Sequence, residues 1–185
     1  MICVGITGSY ASGKTFLLDY LANLGYKTFS ADKCIKELYR NPEIQNMVLN
    51  ILPQLKNFDT ADIAELIYSS DSARNALQSF IHPFVVEGLS SFKHQNSKLD
   101  ITFAEIPLLF EAGLERYFDF CVTVFCSEKT RFKRAEARNI FNLKAYNKIK
   151  QIQLSPKIKM AKAHFVINTD LDLVEQVTKL IKKLK

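Results

Sequence analysis

The chain has 185 residues, of which 48% are hydrophobic, enough for one sizeable core with a small attached lobe. Its longest apolar runs, such as Phe120 to Cys126, fall far short of the roughly 20 residues that cross a bilayer, which excludes a membrane span and makes the cytoplasm the expected location. The net charge of +6 is unevenly placed: eleven Lys or Arg against one acid, Glu136, give the stretch from Lys129 to Lys162 a charge of +10 and leave −4 elsewhere, pointing to a polyanionic partner, either nucleic acid or a multiply phosphorylated small molecule.

Met1 to Ile6 is apolar but has no basic lead-in and no small-residue cleavage site after it, so it reads as a mature strand and not as a signal peptide. That strand, Ile2 to Thr7, is the first of five short β-rich runs; the others are Lys27 to Ser30, Ile101 to Ile106, Phe120 to Cys126 and Phe165 to Ile167. Helical patterns separate them, so the expected fold class is α/β: a three-layer α/β/α core with about five parallel strands. The interval from Cys34 to Asp100 is too long for one crossover helix and must hold an inserted helical lobe. Within it Ala61 to Tyr68 and Ala73 to Phe80 carry helical spacing, and His82-Pro83 is expected to break the chain direction. At the end Val174, Val177, Ile181 and Leu184 form an apolar stripe, with Thr169 or Asp170 as its cap. Cys3, Cys34, Cys121 and Cys126 form no CxxC pair and lie in or beside apolar segments, which suits buried free thiols.

Gly8-Ser9-Tyr10-Ala11-Ser12-Gly13-Lys14-Thr15 fits GxxxxGK[ST] between the first strand and a helix containing Phe16, Leu17, Leu18 and Leu21. In such a loop backbone N–H groups converge on phosphate oxygens, the helix N-terminus adds positive potential, Lys14 reaches the terminal phosphates and the Thr15 hydroxyl ligates Mg²⁺. A switch GTPase would also carry an NKxD-type base reader; Asn147-Lys148-Ile149-Lys150 lacks its aspartate. A kinase instead needs an acceptor site, a carboxylate base and mobile cations over the transferring group. Asp32, just past the second strand, sits where ligands of open α/β sheets collect; it is either that base or the N-cap of a helix from Lys33 to Tyr39. Arg131, Arg134 and Arg138 at i, i+3 and i+7 share one helix face, either clamping phosphates as a lid or lying solvated.

Taken together the motifs resemble the dephospho-coenzyme A kinase family over nearly the whole chain. Its TGGxGSGKS is matched by Thr7-Gly8-Ser9-Tyr10-Ala11-Ser12-Gly13-Lys14-Thr15, its DAD by Ser30-Ala31-Asp32, its HP by His82-Pro83 and its PLLFE by Pro107-Leu108-Leu109-Phe110-Glu111. Its lid RxxxR corresponds to Arg134 to Arg138, and a later Q followed six residues on by K, then AD and a short strand, corresponds to Gln153, Lys159, Ala163-His164 and Phe165-Val166-Ile167. Departures from the pattern are Ser30 for the first Asp of DAD, Ser9 and Ala11 for loop glycines, Thr60 for an arginine and Thr169 for an asparagine.

The resemblance implies transfer of the γ-phosphoryl of ATP to the ribose 3′-hydroxyl of dephospho-coenzyme A with Mg²⁺. It implies one P-loop kinase domain over 1–185, comprising a core (1–37, 99–128, 163–185), a helical acceptor-binding lobe (38–98) and a basic lid (129–162). On the same ground Asp32, Lys14 and Arg138 carry the chemistry, and Gly8, Ala11, Ser12, Gly13, Lys14, Thr15, Phe16, Arg134 and Arg138 bind ATP. Asp32, His82, Leu108, Phe110 and Glu111 bind the acceptor, and Thr15 ligates Mg²⁺ with Glu105 holding its waters. Phe80, Phe84 and Phe110 either line the acceptor's pantetheine arm or are ordinary core, and His82 either contacts the acceptor's adenosine or ends a helix. The partners expected are ATP and dephospho-coenzyme A, without nucleic acid or membrane, for a monomer or small homo-oligomer. The competing readings are another small-molecule or nucleotide P-loop kinase and a nucleic-acid-stimulated ATPase.

Overall fold

The computed structural model describes residues 1–137 and 143–185. The chain divides into two compact units, Met1–Ser30 with Phe92–Lys185, and Ala31–Ser91.

The first unit is built on a five-stranded, wholly parallel sheet of β1 (Ile2–Gly8), β2 (Lys27–Ser30), β3 (Ile101–Glu105), β4 (Phe120–Phe125) and β5 (Phe165–Asn168), in the order β2-β3-β1-β4-β5. Strands buried on both faces read as continuous apolar runs, as β1, β3 and β4 do, and all five expected strands are found with ends shifted by no more than one residue. Alternation along β1 sends Val4 and Ile6 to one face. There they meet Leu17, Leu18 and Leu21 of α1 (Lys14–Asn23) and Leu173, Val177, Leu180 and Leu184 of α9 (Leu173–Leu184) in the main core. The opposite face carries Gly5, whose Cα lies so close to Leu109 and Phe118 that a Cβ there would come within 2.7 Å of Leu109 Cδ1. It also carries Thr7, beside α8 (Pro156–Lys162). Helices on both sides of the sheet make the three layers.

β1 is central; the connection leaving it runs to β2 on one side, while that leaving its neighbour β3 runs to β4 on the other, which opens a crevice at the carboxyl ends of the strands. The glycine-rich loop leaves β1 at that crevice. After β4 come α6 (Glu128–Glu136) and α7 (Leu143–Ile152).

The second unit holds α2 (Ala31–Leu38), α3 (Pro42–Ile51), α4 (Thr60–Ser69) and most of α5 (Asp71–Gln95). The caps are local: the Asn41 side chain accepts from Glu43 N, and the Asp59 carboxylate from Ala61 N and Asp62 N.

Three expectations are corrected. His82-Pro83 does not break the chain, because Pro83 lies inside the 25-residue α5. The ring removes one backbone bond, but Leu77, Ile81, Val85 and Leu89 bury one continuous stripe on both sides of it, and helix stability in proteins comes chiefly from such packing. The final helix buries Leu173, Val177, Leu180 and Leu184 and leaves Val174 57% exposed. Its N-cap is Asp172, accepting from Val174 N at 2.8 Å, whereas Asp170 accepts from Ser127 N and the Thr169 hydroxyl donates to Ser12 O of the glycine-rich loop. The four cysteines are free, and burial pushes the Cys121 thiol up to about 11, so that thiol stays protonated at neutral pH.

Candidate functional site

The loop from Gly8 to Gly13 turns back on itself through residues with positive φ: Gly8 at 152°, Ala11 at 61° and Gly13 at 97°. Ser12 N donates to Ser9 O. Gly13 then starts α1 with no side-chain cap, so the first-turn N–H groups and the positive end of the helix are offered to an anion. Lys14 is 8% exposed and its Nζ donates to the Gly8 and Ser9 carbonyls at 3.1 and 3.2 Å, which holds the ammonium inside the loop's curve. Ala11 stands where glycine would be unstrained, at a cost of about 1–2 kcal/mol. Its methyl is buried against Ala135 of α6 and Tyr146 of α7, so this residue joins the loop to those two helices.

A cleft of about 390 Å³ opens on this loop, lined by Ala11, Gly13, Lys14, Thr15, Phe16 and Arg134. Phe16 is 61% exposed, an aromatic face in the cleft wall that packs into no core. The Arg134 guanidinium is fixed over the loop, donating from Nη1 to Thr169 Oγ1 at 2.7 Å and Ser12 O at 3.4 Å, and from Nη2 to Thr169 O at 3.1 Å. Thr169 Oγ1 in turn donates to Ser12 O at 2.8 Å. Sequence reasoning placed Thr169 as a departure from the family pattern and as a helix cap; it is the post between Arg134 and the loop. Replacing it with Val removes a bond to a charged group, worth about 1.5–3 kcal/mol, part of which Arg134 keeps through the Thr169 carbonyl. The expected result is a KM for ATP about tenfold higher with kcat within about twofold, measured by steady-state kinetics.

Arg131 is buried, 3.8 Å from Glu128, and Lys150 pairs with the same carboxylate. Lys159 pairs with Glu111 and Lys162 with Glu115. With Arg134 on Thr169, at least five cationic groups between 129 and 162 are engaged within the chain. The stretch is therefore no uniformly solvated basic face. Arg138 lies outside the described residues.

On the other side of the loop, the PLLFE stretch follows β3. Leu109 and Phe110 are buried, 0% and 6% exposed, while Leu108 is half-buried. Glu111 Oε1 accepts from Lys159 Nζ and from Leu154 N, both at 2.9 Å. Glu105, at the carboxyl end of β3, is 2% exposed and accepts from Ser30 Oγ at 3.5 Å. Gln153 accepts from the loop N–H of Tyr10 at 2.9 Å. In the sequence Gln153 and Lys159 are marked only by their match to the family's Q-x5-K pattern.

Asp32 and His82 belong to the second unit. Asp32 lies in the first turn of α2, which starts at Ala31, so it is not the N-cap of a helix beginning at Lys33; its carboxylate is exposed. His82 is half-buried within α5 and does not end it, and burial lowers its pKa, favouring the neutral ring at neutral pH.

The model of the dephospho-CoA kinase family matches residues 2–175. A dephospho-CoA kinase of Rickettsia conorii is 54% identical over 188 residues, covering 100% of this chain and 98% of that protein. The chain belongs to the dephospho-CoA kinase family. Dephospho-CoA kinases are thus its relatives across both units, and a second, from Rickettsia prowazekii, is likewise 54% identical over 100% of this chain and 98% of its own length. Among solved structures, a Thermus thermophilus protein superposes with a TM-score of 0.81 at 26% identity, covering 99% of this chain and 95% of that one. The dephospho-CoA kinase of Campylobacter jejuni does so at 0.65 and 23% identity, covering 98% and 96%. A shikimate kinase of Acinetobacter baumannii, at 0.58 and 12% over 100% and 95%, shares the P-loop kinase fold. The protein is a kinase with that fold.

Proposed function

We propose that the protein transfers the γ-phosphoryl of ATP to the ribose 3′-hydroxyl of dephospho-coenzyme A, forming coenzyme A and ADP. The observation that carries the reading is the glycine-rich cleft with Lys14 inside it and Arg134 over it, in a chain of this family. ATP binds with its phosphates on the loop amides of Gly8 to Thr15, Lys14 neutralising the terminal oxygens, and Phe16, Arg134 and Arg138 completing the nucleotide site. The acceptor binds through His82, Leu108, Phe110 and Glu111.

Asp32 takes the proton of the 3′-hydroxyl as the oxygen–phosphorus bond forms; the bond from the γ-phosphorus to the bridging oxygen breaks, and ADP leaves with that oxygen. The transition state is loose, so positioning and charge neutralisation by Lys14 and the arginines supply most of the acceleration. The domain reading is core 1–37, 99–128 and 163–185, acceptor lobe 38–98 and lid 129–162.

The donors here fit Mg²⁺: the Thr15 hydroxyl is exposed at the start of α1 and the Glu105 carboxylate ends β3, both hard oxygen ligands of the kind that ion takes alongside substrate phosphates. Thr15 would hold the ion, Glu105 would orient its waters, and the ion would neutralise phosphate charge.

Among the described residues no helix is long and apolar enough to cross a membrane, and the proposed site of action is the cytoplasm. ADP release in a coupled assay with ATP and Mg²⁺ is expected to require dephospho-coenzyme A, with coenzyme A confirmed by mass, and to stay at background with AMP, CMP or adenosine. Turnover on a nucleoside monophosphate instead would move the chain to another acceptor, and hydrolysis stimulated by added RNA or DNA would assign the basic stretch to nucleic acid.

A further inference from the structure

Among the described residues Lys159 is the most deeply buried charged group, 0% exposed, and none of the steps above uses it. Its Nζ donates to three partners on two segments, Thr7 Oγ1 of β1 at 3.3 Å and, in the stretch after β3, Pro107 O at 2.9 Å and Glu111 Oε1 at 2.9 Å. Thr7 itself donates to Pro107 O at 3.0 Å, and Thr123 Oγ1 of β4 donates to the backbone carbonyl of Lys159 at 3.0 Å. One ammonium therefore joins the last residue before the phosphate loop, the turn after β3 and the Glu111 carboxylate. It hangs from α8, whose preceding turn also bonds to the loop through Gln153 and to Glu111 through Leu154 N.

A lysine fully out of water is expensive unless its donors are satisfied. Burial lowers its pKa while Glu111 opposes that fall. A hydrophobic residue of similar volume would commonly serve stability as well as a buried pair does, so the retention of a charge at this junction calls for a role beyond filling space.

We propose that Lys159 is a positioning residue for phosphoryl transfer: by fixing Thr7, Pro107 and Glu111 in one frame it sets the phosphate loop relative to the loop after β3. The inference rests on the assignment above of the phosphate loop to ATP and of Leu108 to Glu111 to the acceptor. Lys159 touches neither substrate, so its loss misaligns the reacting groups without removing a binding contact.

The rival explanation is that Lys159 only neutralises Glu111. Lys159→Met alone does not separate the two, since it strands a buried carboxylate and lowers the melting temperature by about 10 °C. The decisive comparison is Lys159→Met/Glu111→Gln against Glu111→Gln alone: the double variant strands no charge, and in the single variant the ammonium keeps Thr7 Oγ1 and Pro107 O as acceptors. The expected result is that the double variant melts within a few degrees of the single one, binds a non-hydrolysable ATP analogue with a Kd within about threefold, and has a kcat about 10²-fold lower at saturating substrates. Equal kcat in the two variants would overturn the proposal and leave Lys159 as a counter-ion. Wild-type turnover with dephospho-coenzyme A is measured first. If it is absent the acceptor assignment fails by itself, and Lys159 is then judged by hydrogen exchange of the amides from Thr7 to Tyr10 and Leu108 to Glu111. Exchange must be faster in the double variant than in Glu111→Gln; equal protection overturns the proposal.

Discussion

Asp32→Asn is expected to lower kcat by about 10²–10⁴-fold, the range for loss of a general base, with the KM for ATP nearly unchanged. The argument is one of chemistry and access. In the proposed reaction the acceptor hydroxyl sheds a proton as it attacks, and the receiving carboxylate must be reachable. Glu105 is buried and bonded to Ser30, and Glu111 is committed to Lys159 and Leu154 N. Asp32 is exposed in the first turn of α2, two residues beyond Ser30, which pairs with Glu105 in the sheet. It is also the one acid left in the DAD-like motif, since Ser30 replaces the first aspartate. Asparagine keeps the shape and one acceptor oxygen but cannot take the proton. The measurement is the coupled ADP-release assay at saturating substrates, and a kcat within about threefold of wild type would remove Asp32 from the proton transfer.

Gly8→Ala is expected to abolish detectable ATP binding at concentrations that saturate the wild type. A Cβ on Gly8 would stand 2.4 Å from the carbonyl oxygen of Val124 and 2.7 Å from Ser12 Oγ. The first neighbour is backbone of β4, paired with Gly8 itself in the parallel ladder, so it cannot swing aside as a side chain would. The loop must move by about 1 Å, and misplacement on that scale costs about 10²-fold. The φ of 152° adds strain for any L side chain. Gly25→Ala separates the two effects: φ there is 90°, yet nothing lies within 4 Å of the added Cβ. It is expected to cost about 1 kcal/mol in stability, read as a melting shift of about 2–4 °C, with ATP titration unchanged. Equal ATP affinity in Gly8→Ala and wild type would show that the loop yields at that point.

Composition, spacing and local chemistry determined a good deal by themselves. Strands buried on both faces announce themselves as apolar runs, and the GxxxxGK[ST] pattern requires its glycines where the backbone turns left-handed, as it does at Gly8 and Gly13. The class, the five strands and the family were therefore legible before any coordinates. The same continuity of apolar residues hid the strand order, because a strand that is apolar on both faces says nothing about its neighbours. Helix ends depended on competition between nearby polar groups: Asp172 caps the last helix because Thr169 is occupied at the loop and Asp170 at Ser127. Pro83 showed how packing outweighs a local breaker when four buried side chains continue the stripe across it.

What only the tertiary structure decided are the polar contacts that cross the sheet's carboxyl edge. Thr169 lies 157 residues from Ser12, Lys159 152 from Thr7 and Gln153 143 from Tyr10. Such pairs leave no periodicity in a sequence, because each is a single side chain whose partner is set by which strands the sheet places side by side. The order β2-β3-β1-β4-β5 puts the end of β1 between those of β3 and β4, and that placement turns a serine carbonyl, a threonine hydroxyl and a buried lysine into neighbours of one phosphate loop.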